Sequence, residues 1–169
     1  MFINNSIKVN NLNNFPAFGG GAVYWTGSLG NLNNCVFMGN SINFNNVSNT
    51  TGLRGGAVYW TGSLGNLNSC RFTDNFIFVD GSLVGDTGGG AISWMGTSGT
   101  VSSSIFTNNN VNKWNGVNGT ILNSTFVGNI APSGGAVYWN NENGRIISSN
   151  FSSNIAANYS GSAIDWRRY

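Results

Sequence analysis

The hydrophobic positions of this chain recur in short blocks separated by polar, glycine-rich stretches. "AVYW" stands at 22–25, 57–60 and 136–139, with "AISW" at 91–94 and "AIDW" at 163–166. A phenylalanine follows at a fixed distance: Ala22 to Phe37, Ala57 to Phe72, Ala91 to Phe106 and Ala136 to Phe151 are each separated by 15. A disguised copy lies between the third and fourth, with Val111 at the alanine position and Phe126 again 15 further on. Each tryptophan of these copies (Trp25, Trp60, Trp94, Trp114, Trp139) precedes a glycine by five, and Trp166 opens a truncated copy. The run "GGAVYWTGSLGNLN" is even repeated letter for letter at 20–33 and 55–68.

These blocks read as strands. They are short, β-branched and aromatic, and glycine interrupts them more often than a helix tolerates. Val23, Val58, Ile92, Asn112, Val137 and Ile164 form one column, apolar in all but one copy, and alternation turns it inward. The next column, Tyr24, Tyr59, Ser93, Lys113, Tyr138 and Asp165, is mixed and is expected in solvent. Leu32, Leu67, Val101, Ile121 and Ile146 form a second inward column, followed by the small residues Cys35, Cys70, Ser104, Ser124 and Ser149. A coil of about three strands, stacked on the next at ~4.8 Å, is a parallel β-helix. The pattern predicts an all-β, single-stranded solenoid of about six coils over 1–169.

Asn5, Asn40, Asn75, Asn109, Asn129 and Asn154 end each "F-x-x-N". In register their amides can form a hydrogen-bonded ladder along the axis, and Asn also tolerates the left-handed backbone of a sharp corner. The leg from each Phe to the next alanine position is elastic. Starting from Phe2 it runs 20, 20, 19, 5, 10 and 12 residues. The three long insertions, 6–18, 41–54 and 76–87, leave one corner of successive coils and are expected side by side. Phe15, Phe18, Phe44, Phe76 and Phe78 exceed what solvated loops need, so these loops are the candidate binding patch.

Composition narrows the function. Charged residues are 7% of the chain, far below the roughly 25% usual in globular domains. A net charge of +2 from scattered Lys and Arg gives no footprint for nucleic acid. The chain has no His, which excludes a histidine-based triad or zinc site within it, and no cofactor motif is present. No apolar run reaches the ~20 residues of a membrane span, and the first residues lack the n- and h-regions of a signal peptide. Asp74, Asp80, Asp86, Glu142 and Asp165 do not share a column in neighbouring coils, which argues against a polysaccharide-cleaving β-helix. Asp80 and Asp86 lie in one inserted loop that could hold a cation or nothing. Cys35 and Cys70 share a column, at a spacing that suits buried thiols better than a bridge. The tryptophan column reads either as a structural stack or as a platform for sugar faces. Several N-x-S/T sequons permit glycosylation without indicating it.

"GGAV" at 20–23, 55–58 and 134–137 and "GGAI" at 89–92 alternate with "FINN", "FMGN", "FTDN", "FTNN", "FVGN" and "FSSN". This series resembles the repeats of polymorphic outer-membrane proteins and of archaeal adhesin-like surface proteins. The resemblance implies a right-handed β-helix, extracellular or at a cell surface, used in adhesion or as a stalk. Its partner would be a host or cell-surface glycan or protein, or copies of itself. A self-assembling filament subunit, stacking head to tail, is the second reading, and a glycan-active enzyme the third. The ends fall inside the coil pattern, as expected of a segment from a longer chain or of a fibre subunit.

Overall fold

The computed structural model describes residues 1–10, 19–50, 55–83, 89–110, 112–131, 134–157 and 161–167. All pairings among its strands are parallel. Three sheets run along the described coils, and each complete coil contributes one short strand to each. The tryptophan sheet stacks Val23–Trp25, Val58–Trp60, Ile92–Trp94, Asn112–Trp114, Val137–Asn140 and Ile164–Arg167 in sequence order. The leucine sheet stacks Asn31–Asn33, Asn66–Asn68, Thr100–Ser102, Thr120–Leu122 and Arg145–Ile147. The phenylalanine sheet begins at Phe2–Ile3 and ends at Asn150–Ser152. Register is strict: Phe37 pairs with Phe72 and Trp60 with Trp94, like residue over like. This is a parallel β-helix.

Between the sheets lies one core, built from Leu67, Val101 and Ile121, Val58, Ile92 and Val137, and the two aromatic columns. Phenylalanine rings from Phe2 to Phe151 stack with centroids 4.6–4.8 Å apart. The tryptophans from Trp25 to Trp166 do the same at 4.7–5.1 Å. That interval is the strand spacing itself, so an aromatic in one coil meets its copy in the next without any choice of rotamer. Burial of Trp60, Trp94, Trp114 and Trp139 excludes their use as an open sugar platform.

Each coil turns three times through a left-handed residue. Leu29, Leu64, Ser98, Asn118 and Asn143 precede the repeat glycine; Asn34, Ser69, Ser103, Asn123 and Ser148 precede the Cys/Ser column. The third corner is Asn4, Gly39, Asp74, Asn108, Gly128 and Ser153. The sequence expectation placed the left-handed residue at the ladder Asn itself; it sits one position earlier. That frees the ladder residue to aim its amide along the axis. The glycine pair of "GGA" has a steric cause. A Cβ on Gly20, Gly55 or Gly89 would overlap the carbonyl three residues on, and one on Gly21 or Gly56 would overlap the next coil's backbone.

The outward column also departs from expectation. Tyr24 is 60% exposed, but Tyr59, Ser93 and Lys113 are buried. The first glycine of each "GGA" explains part of this, because the chain returns across that face: Gly55 lies against the Ser93 amide and Gly89 against that of Lys113. Both faces of the middle tryptophan strands are therefore covered.

Candidate binding surface

Over their described residues the three long legs are strands rather than loops. Ser6–Asn10, Ser41–Thr50 and Phe76–Leu83 pair in parallel, with the second in the middle. This wing continues from the Asn corner of the first three coils, with Ser6, Ser41 and Phe76 in register and Lys8, Asn43 and Phe78 two residues on. Ile7, Val9, Ile42, Phe44, Ile77 and Val79 occupy the alternate positions and form a second apolar cluster. Phe44 is thus a core residue, 0% exposed, and not part of an open patch. Phe76 and Phe78 point to the opposite face and are 38% and 51% exposed. Phe15 and Phe18 lie outside the described residues. Asn43 Nδ2 donates to Ser41 Oγ at 2.8 Å and Asn45 Nδ2 to Asn10 Oδ1 at 2.9 Å, tying the wing's polar face together.

Where the wing leaves the body, the asparagine ladder runs beneath it. Asn40 Nδ2 donates to Asn75 Oδ1 at 2.9 Å, Asn75 to Asn109 at 2.9 Å, Asn109 to Asn129 at 3.2 Å and Asn129 to Asn154 at 2.9 Å. The second hydrogen of each Nδ2 goes to a phenylalanine carbonyl of the preceding coil, as from Asn75 to Phe37 at 3.0 Å. Each Oδ1 also accepts the previous coil's backbone N–H, as Asn75 Oδ1 does from Asn40 at 3.0 Å. The Cys/Ser column is a shorter version. Cys35 N–H donates to Cys70 Sγ at 3.3 Å and Cys70 N–H to Ser104 Oγ at 3.1 Å. Both cysteines are free thiols, and burial pushes Cys70 from 9.0 up to about 11.

The body exposes apolar side chains as well: Leu29 and Leu64 at one corner, the paired Ile130 and Ile155 at another, and Tyr24 and Trp166 at the ends of the tryptophan sheet. Tyr24 and Tyr59 stack at 5.2 Å, and Asp165 pairs with Arg167 at 3.0 Å. Among the described residues no three of His, Cys, Asp and Glu converge, and no helix is long and apolar enough to cross a membrane. A gap in the core between Ile92, Val101, Phe106, Ile121, Phe126 and Val137 is apolar and has room for about one water. Asp86 lies outside the described residues. Sequence reasoning found the legs' adjacency from their shared corner in successive coils, but missed Ile77 and Val79, whose alternation with Phe76 and Phe78 marks a strand. Comparison with protein-family models, with curated proteins and with solved structures returns no match.

Proposed function

We propose that this chain is a non-catalytic β-helix of the extracellular surface, a rigid stalk or adhesin segment whose wing meets the partner. One observation carries the reading: the body buries its aromatic columns except at their ends, Tyr24 and Trp166, while the wing holds Phe76 and Phe78 together outward on one sheet face. Exposed aromatics on a rigid support bind at low entropic cost. The likeness of the "GGA" and "F-x-x-N" halves to surface-displayed repeats supports the same location.

The test is binding of the labelled chain to an oligosaccharide array and to immobilised cell-surface extracts, beside a Phe76→Ser/Phe78→Ser variant. Wild-type binding that falls about tenfold or more in the variant is the expected result. Binding that is unchanged in the variant, or absent from every surface, overturns it.

A further inference from the structure

The wing has two edges, and they are built differently. Ser6–Asn10 carries the exposed Lys8, a charge of the kind that guards an edge against pairing. Phe76–Leu83 opens with the uncharged Phe-Ile-Phe-Val and carries its one charge, Asp80, only in fifth place, where the two-fold register below sets it opposite the other copy's Phe76. Among the described residues no strand pairs with its outer side. The next coil cannot supply one, because its leg from Phe106 to the alanine position is only 5 residues long.

Hydrogen bonding shows what that edge offers. Phe76 N–H donates to Asn40 O at 3.1 Å, so in a parallel ladder Phe76 and Phe78 direct their peptide groups to the second coil. Ile77 and Val79 alternate with them and direct theirs outward. Asn75, of the same parity, does accept from the fourth coil, through Asn110 N–H at 3.2 Å. Beyond it the Ile77 carbonyl and both peptide groups of Val79 lie at the edge. Their side chains are only partly buried against the second cluster.

We propose that this edge pairs with the same edge of a second copy, antiparallel about a two-fold axis through Phe78. It rests on the wing being the interaction surface and names its partner. The register is self-complementary. Ile77 falls opposite the other copy's Val79 as a hydrogen-bonded pair, and each Val79 N–H donates to the other copy's Ile77 carbonyl. The two Phe78 side chains meet on the exposed face as a non-hydrogen-bonded pair, with Cα atoms about 4.5 Å apart. Closure favours this pairing over continuing the sheet with a second copy's Ser6–Asn10, which would leave an unpaired edge at each end of an open chain of copies. Four residues per strand bury less than the ~1,200 Å² of a stable complex, so the dimer is reversible and favoured by crowding on a surface.

Sedimentation of the full chain at about 100 µM should show a concentration-dependent dimer. Phe78→Lys, at an exposed site, should weaken it by about tenfold or more by setting like charges across the axis. In a Cys35→Ser/Cys70→Ser background, Phe78→Cys should cross-link into a dimer under mild oxidation, since ~4.5 Å is within disulfide reach, and Phe76→Cys should not. A wild-type monomer that still binds the array overturns the pairing and leaves the adhesive reading intact. A dimer lost in Phe78→Lys upholds the pairing even if no array surface is bound. A dimer indifferent to Phe78→Lys overturns it.

Discussion

The asparagine ladder and the tryptophan stack cross the same coils, yet they handle buried polar atoms in opposite ways. In Asn40, Asn75, Asn109 and Asn129 both the oxygen and the nitrogen of the side chain are hydrogen-bonded. Trp60, Trp94, Trp114 and Trp139 each bury an Nε1 that has no partner among the described residues. The reason is the seat of the ring. Each indole folds over its own turn onto the glycine five residues on, where a Cβ would stand 2.6 Å from Trp60 Cε2 in the Gly65 case. Nothing polar fits there. In these four coils the stack forgoes one hydrogen bond each and is held by apolar area and ring contact, worth more than the ~1–3 kcal/mol that such an orphan costs; at its end Trp166 Nε1 donates to Asn141 O. The ladder has little apolar area to offer and must satisfy every atom.

The largest effect should come from breaking the ladder. Asn75→Leu strands the Phe37 carbonyl, the Asn40 N–H and an Asn40 amide hydrogen. With three buried groups unpaired, a loss of about 4 kcal/mol or more is expected in urea unfolding followed by tryptophan fluorescence. Next comes the seat of the stack. Gly99→Ala drives a Cβ into the Trp94 ring and should cost about 2–3 kcal/mol. In a Trp94→Leu background the same change should cost much less, and an undiminished cost would sink the ring-on-glycine account.

Trp94→Phe sharpens the comparison, because it removes the orphan N–H together with some ring area. We expect only about 1–2 kcal/mol of destabilisation. A loss matching Asn75→Leu would mean that the indole N–H is satisfied in solution. Smallest of all is Cys70→Ser, which extends the serine column of Ser104, Ser124 and Ser149 and should shift stability by less than about 1 kcal/mol. Its effect is on pH. The thiol is raised from 9.0 to about 11, so its folded form holds a proton that the unfolded form releases first. That stabilisation is complete below about 9 and is lost as pH rises through about 11. The wild type should therefore lose more stability than Cys70→Ser across that window.

The columns were legible because they repeat: six tryptophans in one register, and a phenylalanine 15 residues after Ala22, Ala57, Ala91, Val111 and Ala136, fix a coil without any knowledge of contacts. The spacing of five from Trp to Gly was equally visible, but its cause was not, since nothing local shows an indole lying back over its turn. The outward column was misjudged for a similar reason. Alternation presumes one wet face, and Tyr59, Ser93 and Lys113 are covered by chain arriving from the preceding leg, a long-range fact. In the wing, insertion at one corner of three successive coils announced adjacency. The asparagine-rich Ser41–Thr50 hid a strand, because its β-propensity is low and only its neighbours make it extended.

The strict axial register has a mechanical consequence. Backbone hydrogen bonds between coils, such as Ala22 N–H to Ala57 O and Val58 N–H to Ala91 O, point along the solenoid rather than across it. Tension between two ends of the axis therefore loads them head-on, one coil interface after another, and peels the structure in steps. Tension applied along the strand direction, as on a wing gripped by its tip, loads the whole row of the Ser41–Thr50 pairings in shear at once. A body held upright and pulled sideways through its wing is loaded in its stiffer direction.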